Sequence, residues 1–345
     1  MGRPVPELDS TALDPDYMLG TMRGFVREGL KSRPIARSVA VEHLERRLLR
    51  YHVHFDSHPT WSVIGKVYEN PFAGQRSFNG MRRLWDGGFS FKPPVSVHIP
   101  QPYGYISHLR LLLMEEVPGR PLKALVKRKL ATVDDMRLYA VALAKLHRSA
   151  TVPSVPFRVD DHLAIRCDGR HDALAETFPA AAAQVRSIVE RARQLEASLE
   201  APMTAVHGDF HLGQVHVSDG EAWILDLDPL HFGDPAYDVA MTFVMLKHLD
   251  LKLQEPSYIQ SLRDAFIATY FQGGHYEIAA RVPMHAALIH LKRACKRFRY
   301  QDEPGWQETI LHQIDEGVMC MDRMGVQPQS TADIVALYDD CPATV

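Results

Sequence analysis

Short apolar runs separated by turn signals characterise the first third of the chain. The segment WSVIGKVY, Trp61–Tyr68, is rich in β-branched and aromatic residues and predicts a strand that ends at Asn70-Pro71. Phe78–Trp85 predicts a short helix, and the apolar run Leu109–Glu116 is short enough to predict a buried strand. This order of elements is typical of a small, sheet-rich lobe that ends near residue 116.

The chain before Trp61 has a different pattern. Residues 1 to 20 are polar and contain prolines, which favours a flexible, poorly ordered arm. From Tyr17 to about Arg50, apolar and basic residues mix at helix-like spacing, and the segment LLRYHVHF that follows alternates more as a strand does. We therefore expect an arm at residues 1 to 20 and a first lobe at residues 21 to 116.

Helical spacing dominates after residue 116. Asp134–His147 has apolar residues at helical intervals and acids in its first turn, where the helix dipole favours them. Further helices are predicted within residues 172–199, Val239–Leu249, Tyr258–Tyr270, Ala286–Phe298 and Trp306–Met324. Two short strands, Val215–Val217 and Trp223–Leu227, flank a hairpin turn. The pattern predicts a two-lobed α/β fold of the α+β type, with a mainly helical lobe at residues 117 to 345.

Composition narrows the class of protein. The 345 residues are 46% hydrophobic and 23% charged, and 39 Lys and Arg against 42 Asp and Glu give a formal net charge of −3. These values are typical of a soluble globular protein, and the net charge gives no global attraction to nucleic acid or to an anionic membrane. Four scattered cysteines, no signal-peptide pattern and no long apolar run favour a cytoplasmic protein. The oligomeric state cannot be inferred.

The candidate chemistry is concentrated in the segment from His207 to Asp238. Asp209 precedes the first strand of the hairpin, Gln214 lies at the start of that strand, and Asp226 ends the returning strand. We expect the three side chains to converge at one end of the hairpin. Phosphoryl transfer needs such a set, because an acid must orient the attacking hydroxyl while oxygen ligands hold Mg²⁺ against the phosphates.

At this point the sequence resembles the aminoglycoside phosphotransferase and choline kinase-like family, relatives of the protein kinases. The matching residues form three groups: the loop His207-Gly208-Asp209 with His211, the strand-end Asp226, and Gly233-Asp234-Pro235 with Asp238. The resemblance implies a protein-kinase-like fold, Asp209 as catalytic base and Asp226 as main Mg²⁺ ligand. Gln214 replaces the family's usual Asn, and its amide oxygen can still bind metal. The run HGDxHLGQ is also similar to the loop of maltokinases.

The resemblance also implies a nucleotide site in the first lobe. Lys66 stands where the family keeps a lysine on the phosphates of ATP or GTP, and the backbone groups of Glu115 and Val117 would bind the adenine edge. Two features depart from the family pattern. Residues 40 to 60 contain no glycine, and the helix Phe78–Trp85 contains no glutamate to pair with Lys66.

Other polar residues allow a structural interpretation beside a functional one. His207 is expected to hold the loop by hydrogen bonds, and Asp234 and Asp238 are expected to be structural residues in a loop and helix cap. Asp228 can assist the metal or be solvated. The segment Leu291–Arg299, LKRACKRFR, is expected to be the solvated face of a helix, although it could grip an acidic substrate.

The sequence thus predicts an ATP- or GTP-dependent phosphotransferase that uses Mg²⁺. The predicted acceptor is a hydroxyl of a small molecule, such as a sugar, an amino alcohol or an aminoglycoside. Two alternatives remain open: a non-catalytic nucleotide-binding module that kept the fold, and a kinase acting on a peptide side chain. Motifs do not choose the acceptor, because fold analogy says little about substrate pockets.

Overall fold

The computed structural model describes residues 9–30, 32, 34–45, 47–90, 96–149, 155–198, 202–301 and 304–339. The chain divides into two compact units. The first, here called the sheet unit, comprises residues 2–119 and 216–228. The second, the helical unit, comprises residues 120–215 and 229–345. The hairpin after the loop His207–His211 therefore belongs mainly to the sheet unit.

The elements of the first 119 residues alternate between helix and strand. In chain order they are α1 (Ser10–Leu13), α2 (Pro15–Gly29), β1 (Ala36–Glu45), β2 (Leu48–Phe55), β3 (Trp61–Val67), α3 (Pro71–Leu84), a π-helical turn (Trp85–Phe89), β4 (Val97–His98), β5 (Pro102–Ile106) and β6 (Leu111–Glu115). The predicted strands Trp61–Tyr68 and Leu109–Glu116 are confirmed within one to two residues.

Helices dominate the rest of the chain. The elements are β7 (Arg120–Pro121), α4 (Leu122–Lys127), α5 (Val133–His147), α6 (Val159–Asp161), a π-helical turn (His162–Arg166), α7 (His171–Thr177), α8 (Ala182–Ser198), β8 (Thr204–Val206), β9 (Val215–Ser218), β10 (Glu221–Ile224), β11 (His231–Gly233), α9 (Ala236–Leu253), α10 (Pro256–Tyr270), α11 (Tyr276–Tyr300), α12 (Trp306–Asp322) and α13 (Thr331–Asp339). The predicted α/β class, with a sheet-rich first region and a helical second region, is confirmed.

The main sheet of the sheet unit has the strand order β1-β2-β3-β6-β5. Every neighbouring pair is antiparallel. Strand β3 alternates strictly between buried and half-buried positions, as a strand with one face on a core must. Gly65 is needed in β3, since a Cβ there would lie 2.7 Å from the Tyr51 ring and 2.9 Å from Leu111. The sheet therefore places Lys66 on the face opposite that core.

The expected arm at residues 1 to 20 is wrong for the described part, residues 9 to 20. Asp14 accepts hydrogen bonds from the N–H groups of Asp16 and Tyr17, and Pro15 occupies the first position of α2. Such capping starts a helix. Helix α2 then buries Met18 completely in the core of the sheet unit. Residues 1 to 8 lie outside the described residues.

The helix-like spacing between Tyr17 and Arg50 is confirmed for α2, which ends at Gly29, but is wrong for residues Ala36–Glu45, which form strand β1. This edge strand pairs with β2, and its register shifts between Ala36 and Ser38 and again between His43 and Glu45. Such irregularities interrupt the two-residue alternation. The first four positions of β1 are buried, exposed, exposed and buried, which imitates a helical period.

Asn70-Pro71 both ends β3 and begins α3, so the helix predicted at Phe78–Trp85 starts seven residues earlier. The side chain of Asn70 accepts from the N–H of Phe72, and Pro71 is the first helical residue. The helix ends at Leu84 and is followed by the π-helical turn, in which Gly88 has φ 110°. The longer helix includes Ser77, which precedes the predicted helix and donates a hydrogen bond to Asp228.

The helical unit has a core of its own, built around α8, α11 and α12. Its largest contributors include Leu163, Ile188, Leu288 and Ile314, all nearly inaccessible to solvent. Helix α5 begins with a capping box, in which Thr132 and Asp135 satisfy each other's backbone N–H groups. Among the described residues, no helix combines the length and the apolar character that a membrane crossing requires.

Candidate active site

Lys66 lies at the centre of a charged cluster in the sheet unit. Its ammonium is 2.6 Å from an oxygen of Asp226 and 2.7 Å from an oxygen of Asp228. Burial alone would lower the pKa of Lys66, but the charges of Asp228 and Asp226 outweigh it and raise that pKa. Lys66 is therefore a charged lysine held by two carboxylates that follow the returning strand of the hairpin.

Asp228 is positioned by two hydroxyl groups. Its Oδ1 accepts hydrogen bonds from Tyr68 at 2.6 Å and from Ser77 of α3 at 2.7 Å. Burial would raise the pKa of Asp228, whereas the charge of Lys66 and these hydrogen bonds lower it overall. The helix without a glutamate thus contributes Ser77, which orients Asp228 on Lys66. The lysine partner that sequence reasoning missed is an aspartate pair.

Asp226 lies two residues beyond the end of β10 and not at its last position. Its backbone has φ 55°, in the left-handed region that non-glycine residues rarely adopt. Its side chain is 40% exposed, compared with 19% for Lys66. A strained backbone that presents a partly accessible carboxylate is typical of a functional position, since such strain persists only where the surrounding structure enforces it.

Glu115 and Val117 lie at and just after the end of β6. The N–H of Glu115 donates to the carbonyl of Gln101 at 2.9 Å, and its carboxylate accepts from the N–H of Gln101 at 3.0 Å. Val117 follows the strand and is half-buried. The N–H of Glu115 is therefore already engaged, which leaves its carbonyl and the Val117 backbone as the groups for a base edge.

Asp238 fixes the backbone of the loop His207–His211 in the helical unit by hydrogen bonds. One oxygen of this buried carboxylate accepts from the N–H of His207 at 2.7 Å, and the other accepts from Gly208 at 2.9 Å. His147 supports it at 3.2 Å. Burial would raise the pKa of Asp238, but His147 and these bonds lower it. The structural interpretation of Asp238 is confirmed.

The neighbouring motif residues also act on the backbone. His207 is completely buried, and its Nδ1 accepts from the N–H of Asp209 at 3.3 Å, as expected for a residue that holds the loop. Asp234 accepts from the N–H of Ala236 at 3.0 Å and so caps α9, as predicted. It also forms a two-pronged ion pair with Arg281, at 2.7 and 3.0 Å.

Asp209 forms an ion pair with Lys292 of α11, at 3.0 Å. Burial would raise the pKa of Asp209, but the charge of Lys292, followed by that of His211, lowers it overall. The ring of His211 is 3.8 Å away. Asp209 is therefore an ionised carboxylate whose charge depends on a lysine 83 residues later in the chain.

A second cation lies over the catalytic loop. A Cβ on Gly208, whose φ is +78°, would lie 2.7 Å from Nη2 of Arg166, so this glycine is required for the close approach. Arg166 donates to the carbonyl of Pro229 and lies over the ring of Phe157. Its Nε has no hydrogen-bond partner among the described residues. Arg166 therefore lies against the backbone of Gly208, the residue before Asp209.

Sequence reasoning missed Lys292, because Leu291–Arg299 was interpreted as a solvated helix face. That interpretation is wrong for Lys292 and Arg293. Both are half-buried, and Arg293 lies 3.3 Å from a ring nitrogen of His248. The available signal was the apolar spacing of Leu291, Ala294 and Cys295, which flanks Lys292 with core residues.

The predicted site residues fall into the two units. Lys66, Glu115, Val117 and Asp226 belong to the sheet unit, and Asp209 and Gln214 belong to the helical unit. The backbone N–H of Gln214 donates to the carbonyl of His211 at 2.8 Å, which closes the turn before β9. The convergence of all three side chains at the hairpin remains a prediction.

A family model for the "Phosphotransferase enzyme family" matches residues 79–283. This span contains the catalytic loop, the hairpin and the start of α9. The chain belongs to this family. The resemblance to aminoglycoside phosphotransferases and choline kinases is thereby confirmed at the level of the family, while the likeness of the loop to that of maltokinases stays a prediction. A comparison with curated protein sequences found no match.

Solved structures of phosphotransferases share the fold of the chain. A choline/ethanolamine kinase family protein from Mesorhizobium loti has a TM-score of 0.54 at 14% identity, with 93% of this chain and 99% of that chain covered. An amicoumacin kinase in complex with AMP-PNP, Ca²⁺ and Ami has a TM-score of 0.59 at 14% identity, with 85% of this chain and 91% of that chain covered.

A spectinomycin phosphotransferase in complex with ADP and spectinomycin has a TM-score of 0.51 at 11% identity, with 94% of this chain and 98% of that chain covered. At such low identities these three structures establish the kinase-like fold alone. The predicted fold class is therefore confirmed, and the acceptor has to be argued from this chain's own residues.

Proposed function

We propose that the protein transfers the γ-phosphate of ATP, or of GTP, to a hydroxyl group of a small molecule. The observation that carries the proposal is the ionised Asp209 on a loop fixed by Asp238, in a chain of the phosphotransferase family. Of the three related structures, one holds AMP-PNP and another holds ADP, which supports a nucleotide as the donor. We further propose residues 21–116 and 117–345 as the two lobes.

Asp209 is proposed as the catalytic base. It would accept a hydrogen bond from the acceptor hydroxyl and then its proton, while the hydroxyl oxygen forms a bond to the γ-phosphorus. The bond from that phosphorus to the β-phosphate oxygen breaks, and the nucleoside diphosphate leaves. A carboxylate kept ionised by Lys292 suits this task, because orientation matters more than strong basicity in phosphoryl transfer.

The donor set of the chain fits Mg²⁺. Asp226 and Asp228 already gather around the Lys66 ammonium, and Mg²⁺ prefers such carboxylate oxygens. We propose Asp226 and the amide oxygen of Gln214 as its protein ligands. When bound, the ion would neutralise charge on the phosphates. The contribution of the chain is to hold Asp226 in its left-handed conformation and to keep Asp228 on Lys66.

Lys66 is proposed to contact the α- and β-phosphates, and the backbone of Glu115 and Val117 to bind the base. Two carboxylates keep Lys66 charged against the effect of burial and fix it in position, as a phosphate-binding lysine should be. Exchanging the carboxylates for phosphate oxygens would preserve its charge pairing. This assignment needs no glutamate from α3, because Asp228 already orients the lysine.

The proposal is tested by replacing Asp209 with Asn. Since Asn cannot accept a proton, ATP turnover measured as ADP release should fall by about 10²- to 10⁴-fold. Binding of AMP-PNP, measured by calorimetry, should stay close to that of the wild type. Acceptors to be screened include sugars, amino alcohols, aminoglycosides and their phosphorylated derivatives.

The matched control is Asp134→Asn on the exposed first turn of α5, where the carboxyl forms an ion pair with Arg137. Its turnover should equal that of the wild type. Undiminished turnover in Asp209→Asn would refute the assignment of the base. AMP-PNP binding without turnover in the wild type, with every acceptor, would instead support the non-catalytic alternative.

A further inference from the structure

Basic residues from three helices form one surface beside the catalytic loop of the helical unit. This cationic surface consists of Lys123 and Lys127 on α4, His248 and Lys252 on α9, and Arg293 and Lys296 on α11. The members of each pair are three or four positions apart and so lie on the same face of their helix. The sequence indicated basic character only for α11.

The cationic surface is connected to the catalytic loop through α4. The N–H of Lys123 donates to the carbonyl of Leu212 at 2.9 Å, three residues from Asp209. A Cβ on Gly213 would lie 3.6 Å from Cδ of Lys123. Helices α9 and α11 pack against each other, and Arg293 reaches His248 at 3.3 Å. The basic residues of the three helices therefore lie beside the turn that follows Asp209 in the chain.

The basic residues of this surface are close enough to affect one another electrostatically. Burial first, and then the surrounding positive charges, lower the pKa of His248 to about 4; the charges are those of Arg293, Lys252, Lys123 and Lys127. The pKa of Lys123 is also lowered by burial and then by positive neighbours alone, namely Lys127, Lys252, Arg293 and Lys296. His248 is thus neutral at pH 7 and adds no charge.

Four lysines of the surface have no acidic partner among the described residues. Within the part of the chain that the structure describes, no ion pair is formed by Lys123, Lys127, Lys252 or Lys296. Other lysines of the helical unit do form ion pairs, as Lys129 does with Glu255 and Lys292 with Asp209. The negative charge of Glu316 attracts Arg293, but Glu316 forms its ion pair with Lys247.

Concentrating like charges in this way is unfavourable for the isolated protein. Like charges one helical turn apart destabilise a helix, and Lys123 and Lys127 stand in that relation on α4. A multiply charged anion would remove the repulsion between these helices. Lysines suit phosphate in particular, because each presents a compact, mobile positive charge that needs no fixed orientation.

We propose that the cationic surface binds phosphate groups of the acceptor, so that the substrate is a soluble hydroxyl compound that already carries phosphate. The identification of this ligand as the acceptor rests on the proposed function. The affinity of the surface for phosphate is independent of the proposed function. The acceptor hydroxyl would then be directed to Asp209 by phosphates held on α4, α9 and α11.

Binding is tested with inositol hexakisphosphate, which has no free hydroxyl and so cannot itself be phosphorylated on oxygen of the ring. Calorimetry with AMP-PNP at saturation keeps the probe out of the proposed nucleotide site. The wild type should bind it with an affinity that falls as salt rises. The double variant Lys252→Glu, Lys296→Glu should bind about tenfold more weakly or worse.

The matched control is Arg186→Glu, an exposed residue of α8 outside the cationic surface, which should bind as the wild type does. Lys252 and Lys296 are exposed, so their variants should keep the wild-type circular dichroism spectrum and melting temperature. A folded double variant with wild-type affinity would overturn the proposal, as would a wild type that does not bind the probe.

The acceptor is tested by comparing kcat/KM for glycerol with that for glycerol 3-phosphate, and for glucose with that for glucose 1-phosphate. The phosphorylated member should be the better substrate of each pair, and the double variant should lose that preference. Binding to phosphatidylserine vesicles or to poly-glutamate that depends on the same lysines, without preference for the phosphorylated acceptors, would overturn the proposal in favour of a membrane or a peptide.

The Asp209→Asn variant separates this inference from the proposed function. It should bind inositol hexakisphosphate as the wild type does while losing turnover. If the wild type binds the probe through the lysines but never releases ADP, the proposed function is wrong and the phosphate-binding surface stands. Turnover without lysine-dependent phosphate binding would support the proposed function and overturn the phosphate-binding surface.

Discussion

At the scale of single residues, the pair formed by Asp209 and Lys292 controls the chemistry that the site can perform. A buried carboxylate alone would tend to hold its proton, and the adjacent ammonium prevents this. Lys292 is in turn kept charged, because Tyr237 and Asp209 raise its pKa against the effect of burial. Each member of the pair therefore fixes the charge of the other.

Replacing Lys292 with Met should change the pH profile of turnover as well as its rate. The pKa of Asp209 is lowered in the native protein, so activity is present above that pKa and lost as pH falls through it. Without the ammonium this pKa rises, and the acid limb of kcat/KM should move to higher pH. We expect a loss of about 10²-fold in kcat at pH 7. Steady-state kinetics between pH 4.5 and pH 8.5 test this, because the acid limb due to Asp209 should lie below that range in the wild type and enter it in the variant.

Lys292→Arg is the conservative control, because it keeps the charge. Its acid limb should stay where the wild type has it, even if a changed distance reduces kcat. A Lys292→Met enzyme with an unmoved acid limb would show that the lysine does not set the charge of Asp209. Thermal unfolding of both variants separates this effect from a loss of structure.

At the scale of elements, the start of α9 supports the catalytic loop. Asp238 lies in the first turn of the helix, where a negative charge is favourable, and both its oxygens accept N–H groups of the loop. Asp234 caps the same helix and is bound by Arg281 of α11. The motif Gly233-Asp234-Pro235 with Asp238 is therefore a device that fixes the loop to two helices.

Asp238→Asn should destabilise the helical unit. An amide nitrogen would face an N–H donor, and His147 would lose its charged partner inside the core. We expect a loss of about 3 kcal/mol in the free energy of unfolding, typical of breaking one side of a buried pair. Urea titration followed by fluorescence measures it. Asp134→Asn, also in the first turn of a helix but exposed, should cost less than about 0.5 kcal/mol.

Equal stabilities of Asp238→Asn and Asp134→Asn would contradict the support that we assign to α9. A destabilised Asp238→Asn protein whose remaining folded fraction turns over at the wild-type rate would contradict it as well. In that case Asp238 would serve the core alone and not the position of Asp209.

At the scale of the whole molecule, the sequence predicts those elements and motifs that a short stretch of chain determines by itself. The β-branched and aromatic residues of β3 and the helical spacing and first-turn acids of α5 gave those elements close to their true bounds, and the HGD motif gave the loop. Lys292 and Ser77 were out of reach, because they meet Asp209 and Asp228 across 83 and 151 residues of chain. Strand β1 was mistaken for helix because its register irregularities disturb the alternation.

Buried histidines make the stability of the whole molecule depend on pH. Burial lowers the pKa of His162 to about 3 and, with neighbouring charges, the pKa of His231 and His290 to about 4. His162 binds the carbonyl of Leu288 at 3.0 Å, and His290 binds Gln313 at 3.0 Å. These rings are neutral in the folded core, whereas the unfolded chain protonates them near their usual pKa of about 6.5.

The melting temperature should therefore fall steeply between about pH 6.5 and pH 4. In this window the unfolded state binds more protons than the folded state, so stability rises with pH, and each buried histidine contributes on the order of a few kcal/mol. Calorimetric scans at pH 7.5 and pH 5.0 measure the difference. His290→Gln should reduce that difference, and the exposed His43→Gln should leave it unchanged. A melting temperature that stays constant from pH 7.5 to pH 5.0 would show that these histidines are protonated, or reach water, in the folded protein.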